Sequence, residues 1–336
     1  MKTRISYTLL GAAALLLTQC TEPESVQLNP SQESLAARDA VTGSANGEAD
    51  KLESLDDLYK ITARKAESFN LYGEQGRRIQ TQQGTMLDIP PMAFLNAQGQ
   101  PVGGPITVQI TDFYRDGDMA LSGVNTQTGG GMLVSGGSFQ LQAFAGGQPL
   151  QDNPANQVRA VMPMQTQANG QEAQMQLFRG GADQLDPCAR PYWTWERGQG
   201  QLGVNPGSYQ MPDVIPGWSN CDVLYNLANQ GTPTQFEACV IGACGAVDIF
   251  FFPDAITSVV RLTQQGPNNS PTDVCRMTYT NSVPVGMTGT LLAISVNANN
   301  ELEFGSLPIS VLGNDLFNIP VAPGTVADLQ TLVNSL

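Results

Sequence analysis

The sequence contains no histidine. That excludes the Ser-His-Asp and Cys-His mechanisms, histidine-ligated zinc and histidine-based pH switches. Lysine is nearly absent beyond the first residues: only Lys51, Lys60 and Lys65 remain, all early in the chain. A serine–lysine mechanism is therefore excluded for the body of the protein. Charged residues make up 14% of the chain, so its surface must be built largely from Gln, Asn, Ser, Thr and Gly. There is no basic patch, since the adjacent Arg77 and Arg78 stand alone. With a net charge of −14, the chain is expected to repel nucleic acid and anionic membrane surfaces. Long apolar runs are missing too. The run Leu9 to Leu17 is too short to span a bilayer.

That run reads instead as part of an export signal. Lys2 and Arg4 give a positive start, and Leu17-Thr18-Gln19-Cys20 stands where a lipoprotein signal peptidase cuts. Gln19 departs from the usual small residue before the cysteine, and an ordinary secretory signal is the alternative. Residues 1–19 are the expected signal peptide, with lipidation, palmitate included, at Cys20. The expected location is the outer membrane, lipid-anchored, at either the cell surface or the periplasmic face. An amide-linked and a thioether-linked lipid together would hold the protein firmly, because stable anchoring takes about two lipid signals.

Five cysteines follow Cys20: Cys188, Cys221, Cys239, Cys244 and Cys275. In an oxidising compartment they are expected to form at most two disulfides, leaving one thiol over. The spacing does not fix the pairing. A four-thiolate zinc site is the alternative, but paired C-x-x-C knuckles are absent. A catalytic thiol would lack a histidine to activate it.

Residues 20–50 read as a flexible tether, polar and without apolar period. The acids of Thr21-Glu22-Pro23-Glu24 fit an ordinary acidic linker or an export signal to the outer face. Residues 51–70 read as a short helical segment, opened by Ser54-x-x-Asp57 and continued by Leu55, Leu58 and Ile61 to about Phe69.

Residues 71–165 read as an N-terminal β-sandwich domain. A strand at Gly84–Ile89 stops at Pro90-Pro91, and Asn96–Gln100 is a turn. Ile106, Val108 and Ile110 alternate with polar residues, as do Phe139, Leu141 and Ala143, before a turn at Gly146-Gly147. Residues 166–215 read as an irregular connection rich in Pro, Gly and aromatics, and residues 216–336 as a C-terminal β domain. In the latter, Val247–Phe252 is expected to be buried on both faces, and Asn297–Asn300 to form a hairpin turn. A closing helix, capped by Thr325-x-x-Asp328, should present Val326, Leu329, Val333 and Leu336 on one face. The fold class is mainly β, with two sandwich-like domains and short helices at either end.

Ile89-Pro90-Pro91-Met92-Ala93-Phe94, with Ile106-Thr107-Val108, resembles the β-sandwich domain of ankyrins, netrin receptors and zona-occludens scaffold proteins. Some of that group cut themselves at a His-Phe-Ser site, an activity this histidine-free chain cannot inherit. With Gly217-Trp218-Ser219-Asn220-Cys221-Asp222 added, residues 70–336 resemble uncharacterised lipoproteins of the Bacteroidota. That resemblance implies a fold and a location, and no reaction.

Three chemistries are weighed. Asp112, Asp116 and Asp118 stand close enough in sequence to hold calcium, or simply to form a polar strand end. Trp193, Trp195 and Trp218 suit stacking on sugar rings, or pinning a connection to a core. Glycosidases need two placed carboxylates, and thirty acids single out no pair. No cofactor is expected. The leading expectation is a non-enzymatic surface module for binding or assembly, with a glycan or an envelope protein as partner. A carbohydrate-binding or carbohydrate-processing lipoprotein and a purely structural envelope protein are the alternatives.

Overall fold

Alternating side chains decide this fold, because several of its strands are buried on both faces. The structure is a computed structural model describing residues 41–42, 49–129, 131–164, 171–180, 184–185, 191–192, 194–199, 201–225, 231–243 and 246–336. The expectations for Cys20, Cys188, Trp193, Cys244 and nearly all of the tether lie outside these residues. The protein is mainly β, with several antiparallel sheets and three short helices. No described helix is long and apolar enough to cross a membrane.

An eight-stranded sheet runs Trp195–Arg197, Gln176–Gly180, Gly217–Leu224, Gly131–Ala145, Pro105–Phe113, Glu67–Tyr72, with two short strands pairing Gly131–Ala145 off this path. A five-stranded sheet runs Gly203–Asn205, Ser208–Val214, Val158–Pro163, Met86–Ile89, Arg77–Gln80. Val108, Phe139 and Leu141 of the first sheet share a core with Leu87, Ala160 and Tyr209 of the second. Contact is close enough that a Cβ on Gly136 would stand 2.9 Å from the Tyr209 ring and 3.0 Å from the Cys221 carbonyl oxygen.

The C-terminal third adds a six-stranded sheet centred on Val247–Pro253, Thr288–Val296 and Leu302–Ser310. Beside it lies a four-stranded sheet, Gln264–Gln265, Asp273–Met277, Phe236–Ile241, Asp315–Asn318, the last joined in parallel. The strand Val247–Pro253 is buried throughout, as expected for Val247–Phe252, and Asp248 is its one charged residue. Ile249 and Phe251 turn to the core that holds Phe236 and Phe317, both of whose rings meet edge to face. Phe250 and Phe252 turn the other way, into a second core with Leu292, Ile294 and Phe304. Period-two geometry assigns alternate residues to opposite faces, and here both faces are dry.

The helices sit in that second core. Leu55–Thr62 starts at Ser54, whose Oγ accepts the Asp57 N–H at 3.2 Å, and it buries Leu55 and Leu58. It ends sooner than expected, and Ile61 is exposed. Past an irregular stretch at 63–66, the chain forms the strand Glu67–Tyr72, paired along its length with Pro105–Phe113. The closing helix, Val326–Val333, has the expected capping box of Thr325 and Asp328 and buries Leu329 and Val333. Leu336 falls beyond its end and is exposed.

Two elements were not expected. Asp116–Ala120 is a helix packed so tightly that a Cβ on Gly117 would stand 2.9 Å from Val333 Cγ1. The stretch 166–215, expected to be irregular, supplies strands to both large sheets, Gln176–Gly180 and Ser208–Val214 among them. Tyr209, Met211 and Val214 give the latter its buried side.

Candidate functional site

Among the described residues, the outer face of the eight-stranded sheet is covered at one end and bare at the other. Phe113, Leu133, Phe178 and Trp195 on this sheet reach into the second core. Moving back along Pro105–Phe113 on the same face, Thr111 is buried, Gln109 and Thr107 are half-buried, and Pro105 is exposed. Their neighbours in register are Asn70 and Tyr72 on one side and Phe144 on the other.

An open groove of about 640 Å³ lies here. Leu71 and Ile106 contribute buried residues to its lining, and Gly146-Gly147 forms part of its rim. That rim is a two-residue hairpin turn with both glycines at positive φ, 57° and 79°, which is the geometry two-residue hairpins favour. Tyr72 is 53% exposed. Thr107 Oγ1 donates to Asn70 Oδ1 at 2.9 Å, leaving the Asn70 amide nitrogen turned to other partners. No lining residue carries a charge.

The expected sites lie elsewhere. Trp195 is 2% exposed, its Nε1 donating to the Asn125 carbonyl at 2.6 Å. It meets Trp218 edge to face, and Trp218 stacks on Phe113 at 5.6 Å. Both rings pin the connection to the core, which corrects the expectation of sugar stacking for Trp195 and gives Trp218 a packing partner on each side.

The three aspartates do not converge on a cation. Asp112 accepts hydrogen bonds from Thr81 Oγ1 at 2.5 Å, Thr85 Oγ1 at 2.8 Å and Gln83 Nε2 at 3.1 Å, with Arg64 at 3.6 Å. Asp116 takes the Ser258 N–H at 3.2 Å, and Asp118 pairs with Arg115 at 3.1 Å. Each carboxylate has a separate protein partner, so the polar strand end replaces the calcium reading.

Among the described cysteines, Cys239 and Cys275 form a disulfide across directly paired strands. Cys221 is a buried free thiol, not a disulfide partner. Burial, with Asp222 next to it, pushes its pKa well up, so it is a poor nucleophile. Glu237, Cys239 and Cys275 are the one group among the described residues within metal-binding reach of each other. Both sulfurs are committed to the disulfide, which removes them from any thiolate zinc site, and Glu237 accepts from the backbone and side chain of Asn268 at 3.0 and 2.6 Å.

Two buried carboxyls are strongly perturbed. Burial raises the Asp116 carboxyl to about 7, opposed by the Ser258 N–H, and Asp116 Oδ1 has no hydrogen bond. Burial also pushes Asp222 well up, opposed by Ser135, Asn220 and the Gly136 N–H, with Asp116 adding repulsion. Neither lines the groove. Deeper in the second half, the fully buried Arg261 binds Asp248 at 2.7 Å, and Tyr59 donates to the other Asp248 oxygen. The Tyr59–Asp248–Arg261 set joins the helix Leu55–Thr62 to two strands.

The groove was missed in the sequence because its residues are ordinary. Alternation along Ile106–Ile110 and Phe139–Ala143 tells which side chains share a face. It does not tell where cover from another sheet ends. A scan against protein-family models finds no match, and a search of curated proteins finds none.

Proposed function

We propose that this chain is a lipid-anchored protein of the cell envelope that binds a ligand and does not transform one. One observation carries the reading: the groove at the bare end of the eight-stranded sheet is open and aromatic-flanked, yet lined by no charged side chain. Of the groups that general acid–base or nucleophilic chemistry uses, the lining offers only Tyr72 and Thr107, with no carboxylate, amine or thiol among the lining residues to activate them. The strongly perturbed carboxyls, Asp116 and Asp222, are buried away from it. The signal-like start ending at Cys20 supports the anchor, and the resemblance of residues 70–336 to Bacteroidota lipoproteins supports the outer membrane as the proposed location. The disulfide between Cys239 and Cys275 fits an oxidising compartment.

Two measurements test it. Labelled palmitate should enter the protein and be lost in Cys20→Ala, which should also move to the soluble fraction. Retention of that variant in membranes would remove the anchor. With p-benzoylphenylalanine in place of Tyr72, irradiation of intact cells should give a discrete cross-linked product. A clean lane would remove the groove as the binding face.

A further inference from the structure

We propose that the groove binds a neutral saccharide chain; this deepens the binding reading above and rests on it. The first argument is charge. The molecule carries −14 overall, and the groove lining carries none. A groove meant for a cation would gain from acids, which are plentiful elsewhere in the chain, and one meant for an anion would need the scarce cations. Neither sign is present.

The second argument is the kind of polar group. Asn70 and Gln109 offer two amides, which can both donate and accept, and Thr107 offers a hydroxyl oxygen that still accepts while its proton goes to Asn70 Oδ1. Sugar hydroxyls have the same dual character. Alternate side chains on a strand stand about 6.8 Å apart and neighbouring strands about 4.8 Å. Asn70 and Tyr72 on one strand, with Thr107 and Gln109 on the next, therefore mark out a patch on the scale of one or two sugar rings.

The third argument is the aromatic pair. Tyr72 is 53% exposed and Phe144 is half-buried, both on this face. The C–H face of a pyranose packs on such rings while its hydroxyls reach the amides. The groove is open, and at about 640 Å³ it lies within the usual range for small-ligand sites. A Cβ on Gly146 or Gly147 would meet nothing within 4 Å, so the rim does not close over a chain extending past it.

An added peptide strand is the competing occupant, because Glu67–Tyr72 is a sheet edge. Here the Asn70 carbonyl already accepts from Arg77 Nη1 at 3.0 Å. That blocks an acceptor such a strand would use.

The test is saturation-transfer NMR and titration calorimetry on the purified full-length protein. The probes are maltohexaose, cellohexaose, laminarihexaose and the N-acetylglucosamine hexamer, with polygalacturonate as an acidic control. At least one neutral hexamer should bind, and polygalacturonate should not. Tyr72→Ala and Gln109→Ala should each weaken binding about tenfold. Leu316→Ala, which trims an exposed side chain on another sheet, should leave it unchanged. The Tyr72→Ala variant should melt with the wild type, so loss of binding is not loss of fold. Silence from every neutral hexamer at millimolar concentration overturns the proposal, as does binding indifferent to both groove variants. If the hexamers fail while the photo-probe at position 72 captures a protein, the saccharide falls and the binding reading stands. If both fail, both fall.

Discussion

Replacing Asp116 by Asn should stabilise the protein near neutral pH and do almost nothing in acid. The carboxyl rises from 3.8 to about 7 because the fold takes it out of water. It has one hydrogen bond in return, from the Ser258 N–H, while Oδ1 has none. The sign follows from which state ionises first. Below the unfolded value both states hold the proton, and the group is neutral towards stability. As pH rises from 3.8 towards 7, the unfolded chain ionises and the folded one does not, so stability falls; above 7 the full loss is present. A shift of about 3 units at 1.36 kcal/mol each bounds the loss at about 4 kcal/mol, and relaxation in a real interior leaves about 1–3 kcal/mol. Asn keeps an acceptor for Ser258 and cannot ionise. It also removes the repulsion that Asp116 exerts on Asp222. Urea unfolding of full-length wild type and Asp116→Asn at about pH 4 and about pH 7.5 measures the difference directly. A gain of about 1–3 kcal/mol at the higher pH and a gain near zero at the lower one is expected. A difference independent of pH, or a variant less stable at pH 7.5, would refute the reasoning.

Two further outcomes are expected. The disulfide closes a separation of 36 residues, so a Cys239→Ala/Cys275→Ala variant should lose about 3–4 kcal/mol in the chain-entropy account, and calorimetry showing no loss would contradict it. Cys221 should resist alkylation in the native protein and react fully in denaturant; peptide mapping by mass spectrometry that finds it labelled within minutes in buffer would contradict its burial and raised pKa.

Local rules were readable where a few residues decide the conformation. Ser54 and Thr325 cap helices because their side-chain oxygens meet a free N–H three residues on. Gly146-Gly147 turns because glycine accepts positive φ. Val247–Phe252 could be placed between two layers because only a strand without polar alternation suits two dry faces. What stayed hidden depends on distant partners. Asp116–Ala120 is too short to show a period, and its helix is held by the approach of Val333 to Gly117. Tyr209 and Met211 sit among Gly, Pro and Gln, so their strand was masked by turn-like neighbours until paired with Val158–Pro163. Trp195 misled because a large ring serves a core and a sugar equally well in sequence. Burial separates the two, and burial is not a local property.

The same period-two rule explains why the groove exists at all. Along Pro105–Phe113 one face runs from Pro105 through Thr107, Gln109 and Thr111 to Phe113. Phe113 needs cover, and finds it against Trp218 and the second core. Gln109 and Thr107 do not, because an amide and a hydroxyl left in water lose nothing. The side chains therefore become polar where the cover stops, and the strand continues because its other face, Ile106, Val108 and Ile110, still builds the sandwich core. A surface left bare for that reason alone would be polar throughout. The exposed Tyr72 and the half-buried Phe144 break that expectation from both flanking strands, beside Asn70, Thr107 and Gln109. Folding does not require the Tyr72 ring to be there, since it is exposed. A ligand does.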